Sequence, residues 1–269
     1  MSQNRALVGL AVVATGALLS LGAMPANAAD TATVSVLHAV PDTPVDVYAN
    51  GEELLPDFQP GTLTDPLELP AGSYDIQVFA AGADPEADDP AIEGSVDVPA
   101  GANATLVAHL AEDGTPTLTP FVNDTSAVEA GQARVTVRHT AAAPAVDVRA
   151  GGEPVIEGLT NPNEETLTVP AGTVSADVVL AGTDTVAIGP ADLELAEGSN
   201  TIVYAWGSEE AGLELAVQTI SGSHSAPSGV PGGSGGMVDD AMPTPLAALS
   251  VAGLLVAAVG GVRLARNRG

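Results

Sequence analysis

This 269-residue sequence predicts an all-β fold with two tandem β-sandwich domains. Three observations support that prediction. The chain repeats itself once, hydrophobic residues alternate with polar ones, and turn-forming residues recur roughly every eight to twelve positions. No stretch between the two ends of the chain carries apolar residues at helical spacing for three turns. We therefore expect half-buried strands joined by short turns.

The repeat is visible by direct comparison of two segments. Residues 34–51 read VSVLHAVPDTPVDVYANG, and residues 135–152 read VTVRHTAAAPAVDVRAGG. The match continues as LPAG at 69–72 against VPAG at 169–172, and as NATLVAH at 103–109 against NTIVYAW at 200–206. A period of about 100 residues suits a whole domain rather than a solenoid unit. We assign repeat 1 to residues 30–122 and repeat 2 to residues 134–220.

Period-two alternation predicts the individual strands. In repeat 1 the alternating segments are VSVL at 34–37, VDVY at 45–48, YDIQVF at 74–79, SVDV at 95–98, TLVAH at 105–109 and PTLT at 116–119. Six or seven such strands per repeat indicate an immunoglobulin-like sandwich, although the Cys–Trp–Cys pattern of true immunoglobulin domains is missing. Trp206 lies in a late strand, and we expect it to fill the core of repeat 2.

Residues 1–28 have the pattern of a secretory signal peptide. Arg5 supplies the positive charge, residues 6–21 are mainly apolar, and Ala26-Asn27-Ala28 offers a small-residue cleavage site. A retained N-terminal membrane helix is the alternative, which Pro25 and the small residues after it disfavour. We expect cleavage before Ala29.

Residues 246–264 predict a single transmembrane helix, followed by a basic tail at 263–269 that contains three arginines. The tail would lie in the cytoplasm and the repeats outside, so we expect a single-pass protein of the cell membrane with an extracellular ectodomain. Residues 221–241 form a Gly/Ser/Pro linker between the repeats and this helix.

The same C-terminal layout resembles a bacterial cell-wall sorting signal. However, Met242-Pro-Thr-Pro-Leu246 lacks the Thr-Gly bond that a sortase cuts. Attachment to the cell wall by sortase-like processing is therefore the alternative localisation, and a simple membrane anchor is favoured.

The charge distribution excludes two classes of partner. The chain has 34 acidic residues and only seven basic ones, and none of the basic residues is a lysine. Between the predicted signal and the predicted membrane helix only Arg134, Arg138 and Arg149 are basic. Such a surface repels nucleic acid and anionic lipid. Cysteine is absent, so the exported repeats must rely on their cores rather than on disulfides.

A histidine and an aspartate recur in both repeats, as His38 with Asp46 and as His139 with Asp147. Such a pair can act as an acid–base couple or as two metal ligands. The structural interpretation is that each histidine ends a strand and hydrogen-bonds the following turn, while each aspartate caps backbone amides. We favour the structural interpretation, because no third ligand or nucleophile accompanies the pair and Asp42 has no counterpart in repeat 2.

An acidic segment at residues 83–89, ADPEADD, holds four carboxylates. Calcium prefers such oxygen-rich loops, but the spacing is not that of an EF-hand, and Pro85 and Pro90 stiffen the segment. A solvated charged hairpin is the favoured interpretation.

The opening motif also resembles a known family. HAVPDTPVDVYANG at 38–51 and LPAGSYDIQV at 69–78 are similar to the bacterial and archaeal "domain of unknown function 4397" family. Repeat 2 drifts from this pattern, with Ala142-Ala143, Arg149 and Val174 at three of the motif positions. The resemblance implies a secreted, often tandem, β-rich surface domain. It brings no known activity and therefore no catalytic residue.

Taken together, the sequence predicts a non-catalytic cell-surface protein that is not an enzyme and needs no cofactor or metal. Its partner would be an extracellular or cell-envelope protein or glycan. Two alternatives remain open: an envelope hydrolase using His38 with Asp42 or Asp46, and a calcium-dependent adhesive or structural module.

Overall fold

The computed structural model describes residues 31–222, and these residues form sixteen β-strands and no helix. The prediction of an all-β fold is confirmed. The predicted signal peptide 1–28, the membrane helix 246–264, the basic tail 263–269 and nearly all of the linker 221–241 lie outside the described residues. Across residues 31–222, no helical segment has the length and hydrophobicity to span a bilayer.

Repeat 1 contains the first eight strands. They are β1 Thr31–Ala39, β2 Val45–Ala49, β3 Glu52–Phe58, β4 Leu67–Pro70, β5 Gly72–Ala80, β6 Ile92–Val98, β7 Asn103–Leu110 and β8 Pro116–Val122. They form two four-stranded sheets with the orders β4-β1-β7-β8 and β3-β2-β5-β6. Alternate side chains of the two sheets meet in a hydrophobic core that includes Val36, Val47, Val78 and Leu106.

Repeat 2 has the same architecture. Its strands are β9 Gln132–Ala142, β10 Val146–Ala150, β11 Glu153–Leu159, β12 Glu164–Pro170, β13 Gly172–Leu180, β14 Val186–Leu195, β15 Asn200–Ser208 and β16 Gly212–Ile220. The sheet orders are β12-β9-β15-β16 and β11-β10-β13-β14. Each position in this pair of sheets matches one in repeat 1, so the duplication in the sequence is a duplication of the fold.

The strand order differs from that of the immunoglobulin-like sandwich expected from the sequence. In an immunoglobulin domain the first two strands share a sheet. Here β1 and β2 lie in different sheets, and β1 instead pairs in parallel with β7, from Thr33 opposite Asn103 to Ala39 opposite His109. A short turn, in which Asp42 takes a φ of 64°, carries the chain from one sheet to the other.

Each repeat also has more strands than the six or seven predicted. The strand that the alternation missed most clearly is β3, with the sequence EELLPDF. It is an edge strand with a proline and a shifted register against β2 between Val45 and Tyr48. A shift in register breaks strict period-two alternation, so the pattern of β3 does not read as a strand.

The two repeats pack face to face and belong to the same compact unit. We call the contact the inter-repeat face. Its apolar centre joins residues of β1, β7 and β8 to residues of β15. The members are Leu37, Ala39, Val107 and Phe121 from repeat 1 and Ile202, Tyr204 and Trp206 from repeat 2. All seven side chains are buried.

The expected place of Trp206 in the core of repeat 2 is therefore wrong. Val203 and Ala205 line the interior of repeat 2, and the alternation of the strand turns Trp206 to the opposite side, toward repeat 1. There its ring lies against Gly61. A Cβ atom added at Gly61 would be 2.9 Å from Trp206 Cζ2, so only glycine allows this approach.

A polar network crosses the same face beside the apolar centre. Arg138, 1% exposed, donates from Nε to Glu164 at 2.6 Å and from Nη1 to the Tyr204 hydroxyl at 2.7 Å. Its guanidinium also lies 4.4 Å from the centre of the Phe121 ring of repeat 1. Tyr204 and Thr105 both donate to Gln218 Oε1, at 2.7 and 2.9 Å. The buried positive charge thus has both a carboxylate partner and a cation–π contact.

The segment between the repeats is held against them. Arg134 on β9 donates to the Ser126 carbonyl at 2.9 Å and to the Ser126 hydroxyl at 3.0 Å, and it forms an ion pair with Asp124 at 3.2 Å. The Asn200 side chain donates to the Asp124 carbonyl at 3.2 Å. These bonds leave the segment little freedom to vary the relative position of the two repeats.

Replacing Trp206 with alanine should test the inter-repeat face. The change removes the largest side chain of the apolar centre, and we expect the free energy of unfolding to fall by about 3–5 kcal/mol. Guanidinium denaturation followed by circular dichroism would measure it. Val217→Ala on the neighbouring strand is the control, because Val217 is exposed and the change should cost less than about 0.5 kcal/mol. Equal effects of the two substitutions would contradict the packing described above.

Candidate functional site

The histidine at the end of β1 is engaged with the turn that follows it. His38 is fully buried, and its Nε2 donates to the Thr43 carbonyl at 2.8 Å. Its Nδ1 faces the Val40 amide at 3.4 Å, a weak hydrogen bond in which Nδ1 accepts. These partners assign the proton to Nε2 of a neutral ring. The ring also stacks on Phe58, with 5.8 Å between ring centres.

His139 makes the same bonds in repeat 2. Its Nε2 donates to the Pro144 carbonyl at 2.9 Å, and its Nδ1 faces the Ala141 amide at 3.4 Å. We call these two arrangements the histidine turns. The prediction that each histidine braces the turn after its strand is confirmed in both repeats.

The paired aspartates cap backbone amides, also as predicted. Asp46 accepts from the amide of Asp57 at 2.7 Å and from the amide of Gly82 at 2.8 Å, one on each carboxylate oxygen. In repeat 2, Asp147 accepts from Gly158 at 2.7 Å and from Gly182 at 2.8 Å. Bonds to Gly182 and then Gly158 lower the pKa of Asp147, because they stabilise the ionised carboxylate.

The aspartate bonds also fix a left-handed backbone position in the strand opposite. Asp57 has a φ of 47°, and the equivalent Gly158 has a φ of 67°. A non-glycine residue rarely adopts this conformation, so the bond from its amide to Asp46 helps to hold Asp57 there. The position falls where β3 and β11 depart from regular pairing with their neighbours.

The structure does not join these residues into an acid–base couple. No hydrogen bond connects His38 to Asp42 or Asp46. The ring nitrogens of His38 and the carboxylate oxygens of Asp46 form hydrogen bonds with different backbone groups instead. Asp42 is exposed on the turn. The arrangement can brace loops, and it presents no proton acceptor aligned on a nucleophile.

A third buried histidine lies beside the contact between the repeats. His109 donates from Nδ1 to the Leu110 carbonyl at 2.9 Å and accepts at Nε2 from the Thr119 hydroxyl at 2.8 Å. Asn161 of repeat 2 donates to the same Leu110 carbonyl at 2.8 Å and to the Ala141 carbonyl at 2.6 Å. Asn161 therefore ties the two repeats together close to His109 and His139. It lies in a loop without a sequence pattern, so the sequence held no signal for this role.

Burial lowers the pKa of all three histidines. Desolvation of the charged ring is the main cause for His38, His109 and His139. Bonds to the carbonyls of Thr43, Leu110 and Pro144 oppose the shift but do not cancel it. The proximity of His139 lowers the pKa of His109 further.

Two carboxylates of the acidic segment at 83–89 accept hydrogen bonds from backbone amides of the same segment and so cap a turn. Asp88 accepts from the Asp84 amide at 2.9 Å, and Asp84 accepts from the Glu86 amide at 3.0 Å. Within residues 31–222, the structure brings together no group of three or more side chains suited to a metal ion. The segment is thus arranged as a capped surface turn.

The fold and the histidine turns define an all-β protein made of two β-sandwich-like repeats. Residues 32–149 match the model of the family described as "Domain of unknown function (DUF4397)", and the resemblance expected from the sequence is confirmed. The match covers repeat 1 and continues into β9 and β10 of repeat 2.

No curated protein matches the chain. Among solved structures, the chain is similar to the Bacillus anthracis TIE protein, with 11% sequence identity and a TM-score of 0.22. That similarity covers 68% of this chain and 34% of the TIE protein chain, so this chain spans about a third of the length of that protein.

Replacing Asp46 with asparagine should destabilise the protein. Asparagine keeps one acceptor but turns its amide toward a backbone N–H group, and we expect a loss of about 1–3 kcal/mol in the free energy of unfolding. Urea denaturation would measure the change. Asp42→Asn is the matched control, since Asp42 is exposed and asparagine tolerates its φ of 64°. An unaltered denaturation midpoint for Asp46→Asn would refute the capping role.

The histidines should make stability depend on pH. A histidine whose pKa is lowered by folding stabilises the native state fully above its unfolded pKa of about 6.5, and this stabilisation is lost as pH falls below that value. We expect a lower urea midpoint at pH 5.5 than at pH 7.5. The double variant His38→Gln, His139→Gln keeps a donor for each carbonyl but cannot titrate, so its midpoint should fall less. An equal fall in both proteins would contradict the assignment.

Proposed function

We propose that the chain is a non-catalytic cell-surface protein. It presents its two β-sandwich repeats, packed as one unit, to an extracellular or cell-envelope protein or glycan. The observation that carries the proposal is the use of the repeated polar residues. Both repeats share a histidine and an aspartate, the side chains that could serve acid–base chemistry or metal binding. All four instead form hydrogen bonds with backbone groups of their own repeat: His38, Asp46, His139 and Asp147.

The pairing of the cations supports the choice of partner. In the described residues each of the three arginines forms an ion pair: Arg134 with Asp124, Arg138 with Glu164, and Arg149 with Asp177 and Asp184. The acidic surface therefore has no uncommitted guanidinium to attract phosphate or anionic lipid. A neutral glycan or a protein with a basic surface fits such a surface better than nucleic acid does.

The sequence of the two ends supports the proposed location. A signal peptide at 1–28, a linker at 221–241 and an apolar segment with a basic tail at 246–269 support export and a single-pass anchor in the cell membrane. Attachment to the cell wall after sortase-like processing is the alternative for the same segment. In both cases the repeats would stand outside the cell.

Protease treatment of intact cells would test the location. Protease added outside should digest the repeats of the full chain, while a tag placed after Gly269 stays with the membrane fraction. A tag absent from a wall-bound chain would favour sortase-like processing instead. Repeats that are cut only after cell lysis would refute surface display.

Incubation with isolated cell envelope would test the absence of catalysis. The wild-type chain and Asp42→Asn should bind the envelope equally and release no soluble fragment from it. The hydrolase alternative uses His38 with Asp42 or Asp46, and Asp42 is the exposed one of these two carboxylates. Release of fragments by the wild-type chain that Asp42→Asn abolishes would overturn the proposal and favour the hydrolase.

A further inference from the structure

The interior of repeat 2 contains an apolar cavity. In repeat 1, larger side chains occupy most of the corresponding space. The cavity lies between the two sheets of repeat 2 and has a volume of about 130 Å³. Its walls include Val155, Leu167, Val174, Ala176 and Leu193. The corresponding space in repeat 1 measures about 50 Å³.

Two substitutions between the repeats account for the difference. Tyr74 pairs with Val96 in repeat 1, and Val174 pairs with Leu193 at the same point of the equivalent sheet in repeat 2. Tyr74 is therefore the counterpart of Val174. By the same register Ile76 is the counterpart of Ala176. Tyr74 and Ile76 pack into the core of repeat 1, and the Tyr74 hydroxyl donates to the Pro70 carbonyl at 2.7 Å. The smaller side chains of repeat 2 leave that volume open.

The core of repeat 2 has not closed around the gap. Thirteen buried hydrophobic residues form the core of repeat 1, whereas six form that of repeat 2. Val174 and Ala176 are partly exposed, and Val155 at the cavity is 43% exposed. Because Val155 lies on the edge strand β11 and is exposed, the apolar interior of the cavity reaches the protein surface there.

The side chains that line the cavity disfavour a charged ligand. Apart from Arg149, the side chains that line the cavity are hydrocarbon. Arg149 donates from Nε and Nη2 to the two oxygens of Asp177, at 2.9 and 2.6 Å, and from Nη1 to Asp184 at 3.2 Å. Its donors are directed at carboxylates, so the cavity offers no partner to an anionic head group. An unpaired charge in such a site is costly.

We propose that this cavity is a binding site for a small uncharged apolar group, about the size of a benzene ring. Apolar cavities of roughly 150 Å³ in protein cores remain dry and bind benzene or xenon. Repeat 2 would thus add ligand binding to an otherwise structural sandwich, while repeat 1 keeps the packed form. This inference is independent of where the chain is displayed and of what its outer surface meets.

Methyl NMR of the full chain, titrated with benzene, tests the proposal. We expect saturable shifts of methyl signals from Val174, Ala176, Leu167 and Leu193, and no comparable shifts for Val34, Val36 and Leu106 in repeat 1. Hexanoate is the second probe and carries a similar apolar group with a carboxylate. It should bind at least tenfold more weakly, because the cavity does not pair the charge.

A variant that fills the cavity with the side chains of repeat 1 provides the control. Val174→Tyr with Ala176→Ile should abolish the benzene shifts while keeping the β circular dichroism and raising the melting temperature. Ala176→Ile alone is the milder change in case the double variant does not fold, and it should weaken benzene binding. Shifts that are absent in the wild-type chain, equal in both repeats, or retained in a folded filled variant would overturn the proposal, as would equal binding of hexanoate.

Discussion

The buried contact between the two repeats is the constraint on which the rest of the architecture depends. In each repeat the sheet that carries the parallel strand pair has both faces covered, one by its own partner sheet and one by the other repeat. Leu37, Val107 and Phe121 would form an exposed apolar patch if repeat 1 stood alone. Repeat 2 covers them with Tyr204 and Trp206, so neither repeat is complete as an isolated module.

The duplicated sequence has diverged where the copies meet. Leu37 and Arg138 occupy equivalent strand positions, and so do His109 and Trp206. Repeat 1 contributes mainly small or apolar side chains to the contact, while repeat 2 contributes a guanidinium and large aromatic rings. A buried arginine is tolerated only with partners, and Arg138 has Glu164, Tyr204 and the Phe121 ring. The divergence gives a complementary contact between unlike surfaces, and it places two of the three arginines of repeat 2 at the junction.

This packing leaves a defined part of each repeat for interaction. The sheets β3-β2-β5-β6 and β11-β10-β13-β14 keep their outer faces free of the inter-repeat face, and their loops include the acidic segment at 83–89. Both copies share the histidine turns because each copy has to carry its chain from one sheet to the other. Shared residues here indicate a common structural demand, whereas the residues that differ set the contact between the repeats and the open core of repeat 2.

The sequence by itself determined the duplication, the all-β class and the bracing roles of His38 and Asp46, because each depends on local spacing: a repeat interval, a side-chain period of two, and a polar residue beside a turn. It did not predict the parallel pairing of β1 with β7, the bulged strand β3, or the positions of Trp206 and Arg138 between the repeats. Alternation tells which side chains share a face of a strand, but it does not tell which surface covers that face. Only the tertiary structure decided that, since the answer depends on residues of the other repeat, such as Phe121 beneath Arg138 and Gly61 against Trp206.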